Sequence, residues 1–188
     1  MFDLASLHSV LSDATDWQRE PGRGKYARSE MERRFLVCDP VPAGAASRLI
    51  EDRYLDGLRL RVRRVTAHGQ STWKLTQKVR THDGDPSEVR LTNMYLSANE
   101  YALLCELPGR DLAKTRVVVA TSTHRFVVDD FIGRLQGLRL AEVEVADLSE
   151  PVALPGWLGN EVTGDNRYSG GYLARADDEE IKDLIDWW

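Results

Sequence analysis

The chain has 188 residues, 42% of them hydrophobic and 29% charged, with a formal net charge of −5. That length suits a single core, and no apolar run approaches the ~20 residues that span a bilayer as a helix. The acidic balance speaks against a broad nucleic-acid surface, and Cys38 and Cys105 stand too far apart to outline a disulfide framework or a zinc knuckle.

Met1-Phe2-Asp3-Leu4 lacks the basic start and apolar stretch of a secretory leader, so a soluble cytoplasmic protein is expected, without nucleic-acid or membrane partners. Leu4, Leu7 and Leu11 fall on one helical stripe, and the polar stretch that follows holds Pro21, Gly22 and Gly24. Residues 1–25 therefore read as a helical prefix and linker. From Ser29 the pattern changes to period two, with strands expected near 29–37, 58–66, 72–79, 87–95, 114–120, 125–131 and 138–146. His68-Gly69-Gln70 is expected to turn the second of these into the third. Ser97-Ala98-Asn99-Glu100 is a capping box opening a helix that carries Tyr101, Leu103, Leu104 and Leu107 and stops at Pro108-Gly109. Ile181, Leu184, Ile185 and Trp188 recur at helical spacing, so an amphipathic helix is expected from about Asp177.

The strands are informative because several carry charge along one face and apolar groups along the other. Glu30, Glu32 and Arg34 share a face, as do Arg59, Arg61 and Arg63, then Lys74 and Lys78, then Lys114 and Arg116, and finally Glu142 and Glu144, while Asp129 stands in a further strand. One such strand is an ordinary half-solvated sheet face. Arginines at i, i+2 and i+4 repel one another unless an anion lies among them. With Glu88, Arg90 and Arg125 these rows hold ten basic and six acidic groups, a positive surplus inside a negative chain that points to a polyanion site. The clustered carboxylates are the hard oxygen ligands that Mg²⁺ or Mn²⁺ prefers, and closing the sheet would bring all of them inside a barrel.

Glu30-Met31-Glu32-Arg33-Arg34-Phe35-Leu36-Val37 resembles the opening strand of the CYTH, or triphosphate tunnel metalloenzyme, superfamily, whose signature is ExExK. The likeness continues in order through Tyr54-Leu55, Leu58-Arg59-Leu60-Arg61, Leu75-Thr76-Gln77-Lys78, Lys114-Thr115-Arg116, Val128-Asp129 and Ala141-Glu142-Val143-Glu144-Val145 to Glu161-Val162-Thr163-Gly164-Asp165. It implies an α+β fold, a closed antiparallel eight-stranded β-barrel with flanking helices. The tunnel domain would span 26–176, with 177–188 packed on it as a helix. Glu30, Glu32 and Arg34 take the catalytic positions; Arg59, Arg61, Lys78, Lys114 and Arg116 look like the phosphate-side residues, joined by Arg63 of the same arginine row. The metal-side residues are Glu30, Glu32, Asp129, Glu142 and Glu144, for Mg²⁺ or Mn²⁺.

Two positions depart from the family pattern. Arg34 stands where lysine is usual, and the strand before the capped helix, where members commonly carry a second glutamate pair, keeps at most Glu88. The expected activity is metal-dependent hydrolysis of a small triphosphate or polyphosphate. Class IV adenylyl cyclase or thiamine triphosphatase activity is the alternative within the same tunnel, and a non-catalytic polyphosphate-binding module is the alternative outside enzymes; a monomer and a homodimer are equally compatible. Gly22-Arg23-Gly24-Lys25 lacks the spacing of a P-loop, and His8, His68, His82 and His124 have no ligand spacing.

Overall fold

In the computed structural model, residues 21–22, 25–42, 46–80 and 87–186 are described. The Leu4, Leu7 and Leu11 stripe, His8, His82 and the Trp187-Trp188 pair lie outside them. Among the described residues nine strands follow one another: β1 (Arg28–Val37), β2 (Arg48–Leu55), β3 (Leu60–Ala67), β4 (Gln70–Arg80), β5 (Glu88–Leu96), β6 (Gly109–Ala120), β7 (Arg125–Ile132), β8 (Arg139–Glu144) and β9 (Leu158–Glu161). Their order is β5-β4-β3-β2-β6-β7-β8-β1, and β1 pairs back onto β5, which closes an eight-stranded antiparallel barrel.

β1 is the strand on which closure depends. It runs beside β8 from Glu32 to Leu36. On its other side it pairs with β5 from Arg28 to Met31, then with β9 at Phe35 and Val37. The β3–β4 hairpin turns at His68 and Gly69, both with positive φ (51° and 74°), as a two-residue connection that follows strand twist requires.

Helix α1 (Ala98–Cys105) opens with the expected capping box: the Ser97 hydroxyl accepts from the Glu100 N–H, and the Glu100 carboxylate accepts from the Ser97 N–H. It lies against β3, β4 and β5, with the Tyr101 ring 6.4 Å from that of Trp73. Short α2 (Gly170–Leu173) and α3 (Asp178–Asp186) end the described chain. None of these helices is long and apolar enough to cross a membrane.

Two apolar clusters hold the barrel. The first joins Leu36, Leu112, Phe131 and Leu140 to Leu173, Ile181 and Leu184, so the C-terminal helices dock on a core shared with the strands. The second joins Phe35, Val37, Val128, Ala141 and Val143 to Trp157, whose ring meets Phe126 edge-on at 5.5 Å. The outward apolar rows of β1, β7 and β8 are thus covered here by the irregular segment that carries Val152 and Trp157, rather than by a helix.

Candidate active site

With the outer face of β1, β7 and β8 committed to the second cluster, the alternate residues of the strands line a cavity of about 450 Å³, beside the first cluster's Leu36, Leu112 and Leu140 on the same inner face. Ten basic and four acidic side chains contribute to its wall, which concentrates positive charge inside a chain whose net charge is −5. The acids lie on β1 and β8: Glu30 and Glu32 on the first, Glu142 and Glu144 on the second. Register sets Glu32 opposite Glu144 and Arg34 opposite Glu142. Arg34, buried at 5% exposure, donates from Nε to Glu142 at 2.9 Å, and its guanidinium lies 3.8 Å from Glu32.

This crowding divides the carboxylates. Glu142, although buried, is held well below the usual carboxylate range by Arg34, Lys114 and Arg116. Glu32 is pushed up to about 7, first by the Glu142 charge and then by burial, against the opposing pull of Lys78 and Arg34. Burial also raises Glu30, with Lys78 opposing. Within a wall that is basic on balance, the carboxylates of β1 and β8 still crowd one another.

The donor set fits a hard divalent cation in its chemistry: Glu30, Glu32 and Glu144 offer oxygens, and an added cation would relieve the repulsion that raises Glu32. No three His, Cys, Asp or Glu side chains among the described residues are grouped closely enough to enclose an ion as they stand.

The basic side is built from Arg61 and Arg63 on β3, Lys78 on β4, Lys114 and Arg116 on β6, and Arg59 in the turn before β3. Eleven of the twelve residues that the sequence nominated line this one cavity. Asp129 does not. It is 1% exposed and accepts from Lys114 Nζ at 2.5 Å and from Arg116 Nε and Nη2 at 2.6 and 2.7 Å, so its oxygens are committed to two cations. It is packed against two basic side chains of the wall, apart from the four carboxylates that line the cavity.

Three further expectations change. Glu88 and Arg90 were counted with the inward charges, but β5 turns Val89, Leu91 and Asn93 to the cavity. Glu88 instead accepts a hydrogen bond from the Ser29 hydroxyl. The alternation Glu-Val-Arg-Leu has two readings, and register to β1 and β4 selects the neutral row. Arg125, exposed at the start of β7, is also absent from the lining.

The structure adds Tyr54, Arg80, Arg175 and the Ser169-Gly170-Gly171 turn to the lining, and places Asp52 beneath Arg61 and Arg63. Gly170 is needed there, because a Cβ at that position would collide with the Tyr54 hydroxyl. Tyr54 stood within the resemblance, whereas the signal for Asp52 was a lone acid facing an arginine row.

A closed barrel with acids on β1 and β8 facing cations on β3, β4 and β6 is the arrangement that the ExExK-like strand implied. The inorganic triphosphatase of Acetivibrio thermocellus is 35% identical over 80 residues, which is 43% of this chain. The match spans about half the length of that relative. Two solved structures of the protein NE1496, described in one case as an inorganic triphosphatase, superpose with a TM-score of 0.57 at 26% and 25% identity. They cover 79% of this chain and 99% and 95% of their own. The fold is similar to that of these proteins over most of the described barrel. No family model matches the chain. The barrel carries acid rows on β1 and β8 and a neutral row on β5.

Proposed function

We propose that the chain hydrolyses the terminal phosphoanhydride of a small triphosphate, inorganic tripolyphosphate or an organic triphosphate, inside this cavity. The observation that carries the reading is the segregation of charge on one wall: cations on β3, β4 and β6, carboxylates on β1 and β8. Mg²⁺ or Mn²⁺, held by Glu30, Glu32 and Glu144 with Glu142 nearby, would supply Lewis-acid charge neutralisation at the phosphate oxygens.

The chain's own residues do the rest. Arg59, Arg61, Arg63, Lys78, Lys114 and Arg116 bind and orient the phosphates and offset charge that develops on the leaving group. Arg34 keeps Glu142 ionised. A carboxylate among Glu30, Glu32, Glu142 and Glu144 would orient the attacking water, directly or through the bound ion.

Purified protein supplied with Mg²⁺ or Mn²⁺ should release phosphate from tripolyphosphate, ATP or thiamine triphosphate, and Glu30→Gln should abolish the release. No turnover across those substrates and metals would sink the proposal. One observation favours a second reading, a tunnel that binds polyphosphate without chemistry: β5 presents Val89, Leu91 and Asn93 where relatives are expected to carry glutamates. That reading predicts tripolyphosphate affinity unchanged by a chelator and no phosphate release.

A further inference from the structure

We propose that Asp52 is a positioning residue whose buried carboxylate fixes the guanidinium groups of Arg61 and Arg63 for polyphosphate binding, an inference that rests on the reading of the cavity given above. Asp52 lies on β2, directly opposite Arg63 in register, and its side chain is fully buried. Arg63 grips it in a two-point contact, Nε to Oδ1 at 2.6 Å and Nη2 to Oδ2 at 2.7 Å. Arg61, two residues along the same face, brings its Nε to 3.6 Å from the same Oδ1, beyond hydrogen-bond distance.

Arg61 is otherwise steadied from the side. Its Nη2 donates to the Thr76 hydroxyl at 3.3 Å, and that hydroxyl donates to Asn93 at 2.7 Å. Its guanidinium carbon lies 6.0 Å from the centroid of the Tyr54 ring. Its Nε–H is buried without a hydrogen-bond partner, and the acceptor it faces is the Asp52 carboxylate.

Asp52 itself does not line the cavity, so it acts through the arginines and not on the ligand. Two guanidinium groups at i and i+2 repel each other and would splay without a shared counter-charge. Burial raises the Asp52 carboxyl, yet Arg61 and Arg63 outweigh it and hold the group well below the usual range, so it stays ionised at any working pH. Asp129 repeats the arrangement with Lys114 and Arg116 on β6. Two buried aspartates, on β2 and β7, thus each hold two cations of the wall.

The sign of an affinity change separates positioning from plain electrostatics. Asp52→Asn keeps the shape and removes a negative charge close to a polyanion site. If Asp52 were only a diluting charge, the variant would bind tripolyphosphate more tightly. If it positions the arginines, binding weakens by about tenfold or more, the value of one well-formed charged hydrogen bond.

The measurement is titration calorimetry of tripolyphosphate into the full chain with EDTA, alongside phosphate-release kinetics with Mg²⁺. KM should rise by about tenfold, with kcat changing much less, the mark of lost uniform binding. Unchanged or tighter binding, or a loss confined to kcat, overturns the proposal while leaving the cavity's function standing. A wild-type chain that fails to bind tripolyphosphate overturns the function and the proposal with it.

Removing one partner of a buried pair can prevent folding. Should Asp52→Asn not fold, Asp52→Asn/Arg63→Met is compared with Arg63→Met alone. Further weakening, through Arg61, supports positioning; tightening overturns it.

Discussion

Glu32 shows how a single carboxylate can carry opposite consequences for stability and for function. Its carboxyl titrates at about 7 in the folded chain, raised from 4.5 by Glu142 and by burial. The folded state therefore holds the proton more tightly than the unfolded chain between those values, so its contribution to stability falls as pH rises through that window. Glu32→Gln removes the repulsion. The metal-free variant should melt above the wild type at pH 8, by roughly 2–4 °C for each kcal/mol relieved, and show no gain at pH 4.5. Phosphate release should be lost in the same variant, and a lower melting temperature at pH 8 would falsify the account of Glu32.

Asp129 makes the contrary case. Asp129→Asn leaves Lys114 and Arg116 with an uncompensated charge and should destabilise by about 3–5 kcal/mol, read from urea denaturation. The stoichiometry of Mn²⁺ bound, counted by electron paramagnetic resonance, should not change, because the carboxylate does not line the cavity. A lost Mn²⁺ equivalent would restore Asp129 to the ligand set.

Among the elements, the legible strands were those whose faces differ in kind. β1, β3, β4, β6, β7 and β8 alternate charge with apolar groups, and the sequence places all of them. β2 escaped because Ile50, Asp52 and Tyr54 share its inner face, mixing apolar, acidic and aromatic groups with no visible period. β9 has four residues and is defined by its pairing to β1, which no local pattern reveals. β5 was found but assigned the wrong inner face, since either face of Glu88-Val89-Arg90-Leu91 reads as plausible until its neighbours set the register.

The site was legible to the extent that its charges sit on clean alternations. Asp52 and the Ser169-Gly170-Gly171 turn were not, the first because β2 shows no clean alternation and the second because it meets Tyr54 across a long stretch of chain. At this scale Gly170→Ala is the sharpest probe. Its methyl group would displace either α2 or the Tyr54 ring, so melting temperature should fall and the KM for triphosphate should shift. Ser97→Ala, which removes the α1 cap at a cost of about 1 kcal/mol, should leave KM alone.

For the molecule as a whole, an acidic surface encloses a basic interior. Exposed charges are screened over about 10 Å at 0.1 M salt, whereas partly buried pairs are screened less. Tripolyphosphate affinity should therefore weaken with salt, yet keep a residual strength at high ionic strength from the enclosed arginines. Affinity that vanishes at 0.5 M salt would mean the ligand sits outside the barrel.

The handover along one side of β1 has a further consequence. Beyond Met31 that side is taken up by the late segment: Val162 donates its amide to the Arg34 carbonyl, and Arg34 donates its own to the Thr163 hydroxyl. During synthesis, the strand bearing the acid row must wait about 130 residues for these partners, roughly 7–26 s at 5–20 residues per second. Until then its Arg34–Val37 end has an unpaired side, the kind that recruits other chains. A chain truncated after residue 156 should leave that end of β1 unpaired and be more protease-sensitive and aggregation-prone than the full chain.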